Sequence, residues 1–198
     1  MSDASFDCPV QVKQATECCI ANDTNDNPMT SITPATEQDI PSLNLLVNGA
    51  YRGESSKKGW TTEANLLSGI RTDEEGLKTM LQNPNATILT YRENAQLLGC
   101  VYLETKGDEL YLGMLTVSPE AQTNGIGKKL LTAAEQTARD RQCQAITMTV
   151  ITVRYELIAW YERRGYQSTG ETKPFPNDPS FGLPKQPLEF TVMKKEIV

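Results

Sequence analysis

A mixed α/β fold of the α+β kind, with helices around one central sheet, is predicted by three features of this 198-residue sequence. Three β-type runs follow one another, "ATILTYRE", "LLGCVYLETK" and "ELYLGMLTV", joined by connections short enough for hairpins. A later run, "AITMTVITV", is β-branched and apolar on both faces, so it needs cover on both sides. Amphipathic helical segments lie before and between these runs and can supply it.

Taken in order, residues 1–28 are polar and rich in threonine and asparagine, with no period, and are expected to be a flexible extension ahead of a single domain, 29–198. Periodicity begins at Met29 with the strand "MTSIT". A helix within "PATEQDIPSLNLLVNGAY" follows, opened by a capping box of Thr36 with Asp39, its stripe Ile40, Leu43, Leu46 and Val47. Residues 51–71 form a mixed-charge connection with a short helix expected in "TEANLLSG". "TDEEGLKTMLQN" is a second helix with acidic residues at its positive end. The three strands come next, turning at "ENAQ" and "GDE". The segment "SPEAQTNGIGKKLL" then makes a glycine turn into a long helix, its buried face marked by Ile126, Leu130, Ala133, Ala134 and Ala138. "AITMTVITV", the helix "RYELIAWYERR" closed by Gly165, and the strands "YQSTGE" and "LEFTVMKKEI" complete the chain. A shaped loop, "KPFPNDPSFGLP", sits between those last two strands.

Composition excludes several functions. A net charge of -6 is wrong for a nucleic-acid binder, which presents a basic face. No apolar run approaches the ~18 residues of a membrane span, and the N-terminus lacks a signal peptide's basic start and apolar core, so a cytoplasmic protein is expected. Five scattered cysteines form no metal pattern, and reduced thiols are the simplest account. The absence of histidine removes every mechanism that needs an imidazole.

The glycine turn places unpaired amides and the positive end of a helix dipole after a strand, the geometry of an anion site. It is not a P-loop: five residues before Gly127 stands Gln122, and Lys129 follows Lys128 where a hydroxyl is needed. It is not a dinucleotide fingerprint either, since Leu130 occupies the third glycine position. The pattern present is Q-x-x-G-x-G, on Gln122, Gly125 and Gly127.

That pattern resembles the coenzyme A pyrophosphate loop of the GCN5-related N-acetyltransferases, the GNAT superfamily. "MLTVSPEAQTNGIGKKLL" is similar to the family's strand-to-helix core motif, "ELIAWYERRGY" to its tyrosine-bearing helix, and "MTSITPATEQDIPSL" to its opening strand and helix. Together they span about Met29 to Val198. The resemblance implies the GNAT fold, a central, mostly antiparallel mixed sheet splayed between the family's fourth and fifth strands and flanked by helices. It implies acetyl-CoA as co-substrate, no metal, and a primary amine of a small molecule or peptide as acceptor. The amine would attack directly in a ternary complex.

By the same resemblance the amides of Thr123, Asn124, Gly125, Ile126, Gly127 and Lys128 hold the pyrophosphate, with Gln122 bracing the turn. Leu115, Thr116 and Val117 run along the pantetheine arm, and one amide of that strand forms an oxyanion hole. Tyr161 is the general acid toward the leaving thiolate; its alternative is a core tyrosine. Arg154 stands where relatives carry a pantetheine-contacting asparagine. The general base stays open. Relatives' glutamate position is Tyr111 here, Glu109 lies two residues earlier on the same strand face, and Glu54 and Glu63 are rivals. Arg52, Lys57 and Lys58 are candidates to clasp an acceptor carboxylate, and Trp60 is a lid or, preferably, a core anchor. Cys100 and Cys143 would be the nucleophiles of a ping-pong route but read as buried structural thiols. Two other classes remain: a non-catalytic acyl-CoA-binding module, and a protein-interaction role for residues 1–28. Monomer and homodimer are both compatible with the chain.

Overall fold

The computed structural model describes residues 29–176 and 182–197, so the expected N-terminal extension and the centre of the proline-rich loop lie outside the described residues. The chain runs β1 (Thr30–Pro34), α1 (Ile40–Tyr51), a one-turn α2 (Gly53–Ser56), β2 (Leu67–Ser68) and α3 (Glu74–Gln82). β3 (Ala86–Glu93), β4 (Gln96–Lys106), β5 (Glu109–Val117), α4 (Ile126–Asp140) and β6 (Ala145–Ile151) follow. α5 (Tyr155–Glu162), β7 (Gln167–Pro174), β8 (Leu183–Pro184) and β9 (Glu189–Glu196) complete it.

Local chemistry explains most boundaries. The amide of Thr36 donates to the Asp39 carboxylate at 2.8 Å, so the predicted box forms and opens a 3-10 turn that leads into α1. Asp73 accepts from the Gly76 amide at 2.7 Å and caps α3. Asn94 and Ala95 both take positive φ, 48° and 66°, the backbone twist that a two-residue hairpin between β3 and β4 requires. Past the end of α5, the Gly165 amide donates to the Glu162 carbonyl at 2.9 Å.

One expectation fails. "TEANLLSG" is not a helix: residues 64–66 turn, and Leu67–Ser68 pairs antiparallel with Leu183–Pro184 as a separate ribbon. The short helix lies earlier, at α2. Burying Leu67 against Ile151 and Leu188 replaces the contacts a helix would have made.

The main sheet has the order β1-β3-β4-β5-β6-β9-β7. Only β5 and β6 run parallel; every other neighbouring pair is antiparallel. Both faces are covered. Against one lie α1 and α3, closing a core of Leu43, Val47, Leu77, Ile88, Cys100 and Tyr102. Against the other lie α4 and α5, with Leu103, Ile126, Leu130, Ala134, Tyr161 and Tyr166. β4 is apolar along its middle because its alternate side chains feed both cores.

Leu130 has no exposed surface and sits at the centre of the second core. Leu130→Ala should lower the free energy of unfolding by about 2–5 kcal/mol, read from urea denaturation at constant m.

Candidate active site

The site begins where the parallel strands separate. β5 and β6 pair only at Glu109 with Ala145, Leu110 with Ile146 and Tyr111 with Thr147, and beyond these they diverge. A bulge on the other side of β5 accompanies the divergence. Gly113 pairs with Tyr102 and Thr116 with Cys100, leaving Met114 and Leu115 opposite Val101 alone. Met114 takes φ 49°, a left-handed conformation costly for its side chain. Two side chains secure the turn. The Thr116 hydroxyl donates to the Met114 carbonyl at 3.0 Å, and the Tyr51 phenol donates to the Leu115 carbonyl at 2.6 Å.

The gap is divided into two compartments. One, of about 290 Å³, is lined by Gln122, Thr123, Gly125, Gly127, Lys128 and Trp160. The other, of about 310 Å³, is lined by Glu63, Arg71, Tyr111, Thr149, Lys173 and Phe190. Tyr51, Leu115, Leu157 and Tyr161 line both, so the two spaces meet at the bulge.

On the glycine side, Gly125 stands at the N-cap of the 15-residue α4 with φ 72°, and a Cβ there would meet open space. No side chain caps this helix, so its first-turn amides face the compartment without an internal partner from a capping group. Arg164 stacks on the Trp160 ring at 3.6 Å and lines the same space.

A strap of residues 59–62 borders the glycine-side compartment through Trp60 and Thr61. Gln122 Oε1 accepts from the Trp60 amide at 2.9 Å, while its Nε2 donates to Thr61 Oγ1 at 2.7 Å and to the Val117 carbonyl at 3.3 Å. Gly59 passes so close that a Cβ would lie 2.8 Å from the Gln122 amide group. From below, Arg154 donates to the carbonyls of Trp60 at 3.1 Å and Thr61 at 3.3 Å, and it pairs with Glu156.

The structure therefore brings Gln122, Thr123, Gly125, Gly127, Lys128, Leu115, Val117 and Tyr161 together around one cleft. It separates others. Glu109 lies at the far end of β5, paired with Lys194 at 2.9 Å, and lines neither compartment. Glu54 is exposed and pairs with Lys57 at 2.6 Å, also outside both. Arg52 is buried against Glu63, which commits the candidate carboxylate clasp to an internal ion pair. Arg154 lines the second compartment, not the glycine side. Ile126 is core, Asn124 is exposed, and the Thr116 side chain turns inward to the bulge. Trp60 is 41 % exposed, not a core anchor; it tilts against Trp160 with ring centres 6.1 Å apart. Arg71 was missed, because its position in the connection carries no motif. Tyr51 could have been found as the partly buried residue four places after Val47 in the helix stripe.

Burial sets the protonation of the central groups. It lifts the Tyr161 phenol far above its ordinary range, so this hydroxyl keeps its proton at any physiological pH. Burial, then the neighbouring Glu63 charge, pushes Tyr51 up to about 12. Cys100 is also pushed up to about 12 by burial; it and Cys143 are buried free thiols outside the cleft, which removes both as nucleophiles.

Residues 54–166 match the family profile described as Acetyltransferase (GNAT) family, more than half of the chain. The chain belongs to this family. Among curated proteins, an IAA acetyltransferase from Azospirillum brasilense is 26% identical over 131 residues, 65% of this chain and 80% of that protein. Among solved structures, the ribosomal-protein-S18-alanine N-acetyltransferase from Escherichia coli superposes with a TM-score of 0.65 at 16% identity, over 85% of this chain and 94% of its own. A ribosomal-protein-alanine N-acetyltransferase from Brucella melitensis gives 0.63 at 22%, over 84% and 99%. These likenesses show that the sheet, its splay and its helices form the GNAT fold.

Gln122→Ala should release the strap. The Trp60 amide is expected to lose hydrogen-exchange protection while global stability falls by about 1 kcal/mol. Raised thiol and phenol pKa values leave stability untouched below about pH 9, the unfolded thiol's range, and erode it above, because the unfolded chain then releases protons the folded one holds. Denaturation midpoints measured from pH 8 to 11 should be level to about 9 and then fall, with a shallower fall in Tyr51→Phe.

Proposed function

We propose that the protein is an acetyl-CoA-dependent N-acetyltransferase that moves an acetyl group to a primary amine by direct attack in a ternary complex. The observation that carries this reading is the pair of compartments meeting at Tyr51, Leu115, Leu157 and Tyr161, with the glycine-opened start of the 15-residue α4 on one side only. The residues fit the co-substrate. Gly125 leaves open space where a side chain would stand, and the first-turn amides of α4 with Lys128 and Arg164 provide charge complementary to a diphosphate. β5 beyond Tyr111 has no partner in β6, so its backbone is available to an extended arm, as a sheet edge is to an added strand.

When bound, acetyl-CoA supplies an acetyl thioester already activated toward amines. The chain does the rest. The compartments hold amine and thioester at a common wall, which replaces a bimolecular encounter with an oriented one. Leu115 backbone, fixed by Tyr51, presents its amide where negative charge develops. Tyr161 gives its phenolic proton to the departing sulfur as the new carbon–nitrogen bond forms. The proton lost by the amine is assigned to no side chain, because Glu63, the one carboxylate lining either compartment among the described residues, is committed to Arg52.

Tyr161→Phe should lower kcat about 100-fold or more in a thiol-release assay, while calorimetry finds acetyl-CoA binding within threefold of the parent. Unchanged turnover would remove the phenol from the reaction. Absence of any heat with acetyl-CoA from the folded parent would remove the proposal itself.

A further inference from the structure

The second compartment has a charge pattern opposite to that of the molecule. The chain carries a net charge of -6, yet the charged groups lining this space are Glu63 against Arg71, Arg154 and Lys173. Three of these four are already paired: Glu63 with Arg52, Arg154 with Glu156, and Lys173 with Glu171 at 3.6 Å. Arg71 makes no ion pair among the described residues. Its guanidinium lies over the Tyr51 ring, 5.7 Å from the centroid, and the same ring's hydroxyl holds the Leu115 carbonyl. One phenol thus separates a guanidinium from the point where the compartments meet.

The position of Arg71 is built, not incidental. Asn48, on α1, accepts from the Arg71 amide at 2.7 Å and donates to the Thr72 carbonyl at 2.9 Å, so both residues are pinned to a packed helix. A guanidinium beside an aromatic face retains its planar donor fork, and that fork matches a carboxylate. Beyond it the wall is apolar: Ile151, Pro174 and Phe190, the last stacked on Phe175.

We infer that the acceptor is a free α-amino acid with an apolar side chain, its carboxylate bound by Arg71, its side chain against Phe190 and Ile151, and its amine at the Leu115 bulge. This rests on the acetyltransferase reading above and narrows its acceptor. A peptide terminus has an uncharged amide where the carboxylate would stand, so it leaves Arg71 without a partner. Arg71 is therefore a specificity-determining residue, and Tyr51 and Asn48 position it.

Product binding tests this without turnover. Calorimetry on the full chain would titrate N-acetyl-L-phenylalanine and N-acetyl-L-leucine, each beside its carboxamide, and coenzyme A separately. The expected result is that at least one acid binds at least tenfold tighter than its amide, and that Arg71→Met abolishes this preference while coenzyme A binding stays within threefold. Arg71→Lys should retain part of it, as a charge without the fork. A preference below tenfold, or no binding by either acid, with coenzyme A heat intact, overturns the amino-acid assignment and leaves the acetyltransferase reading standing. A preference that survives in Arg71→Met removes Arg71 as its cause. Loss of coenzyme A heat in the folded parent sinks the underlying reading and this inference with it.

Discussion

Everything at the cleft depends on two parallel strands that stop bonding after three residue pairs. Main-chain donors and acceptors inside a protein must find partners, so a gap in the middle of a sheet is costly unless something fills or diverts it. Here the bulge at Met114 and Leu115 diverts it. The carbonyls of Met114 and Leu115 are taken by the hydroxyls of Thr116 and Tyr51, across the left-handed turn at Met114. The sheet stays continuous at one end and open at the other. That is how one layer provides both a rigid frame and a site.

Around this opening, a small number of polar side chains act as joints. Gln122 belongs to the glycine turn by sequence, but its side-chain amide bonds to other segments: the strap at Trp60 and Thr61, and the end of β5. Arg154 reaches the same strap from the start of α5. The strap is therefore fastened twice, by Gln122 from the glycine side and by Arg154 from the second compartment.

The fold was largely legible in the sequence because its signals are local. Alternation, two-residue turns and helix stripes report burial directly, and the glycine turn with the tyrosine helix one strand later marks the family. The candidate site was legible only where backbone makes it. Gly125 and Gly127 are visible because conformation restricts residue choice, whereas Arg71 reaches the cleft through Asn48, 23 positions earlier, a contact that no short pattern encodes. Glu109 was misplaced for a related reason. Strand alternation gives the face a side chain occupies but not its distance along a strand that diverges from its neighbour, and at ~3.3 Å per residue the bulge is far from the strand's start. "TEANLLSG" misled because a leucine pair serves a turn and a ribbon as readily as a helix.

The chain has just two tryptophans, and Trp60 and Trp160 both line the glycine-side compartment in mutual contact. Indole emission from this protein is therefore a signal of a single place. Any ligand that enters between strap and helix changes the solvent around both fluorophores at once, and the unlabelled molecule carries its own optical gauge of occupancy.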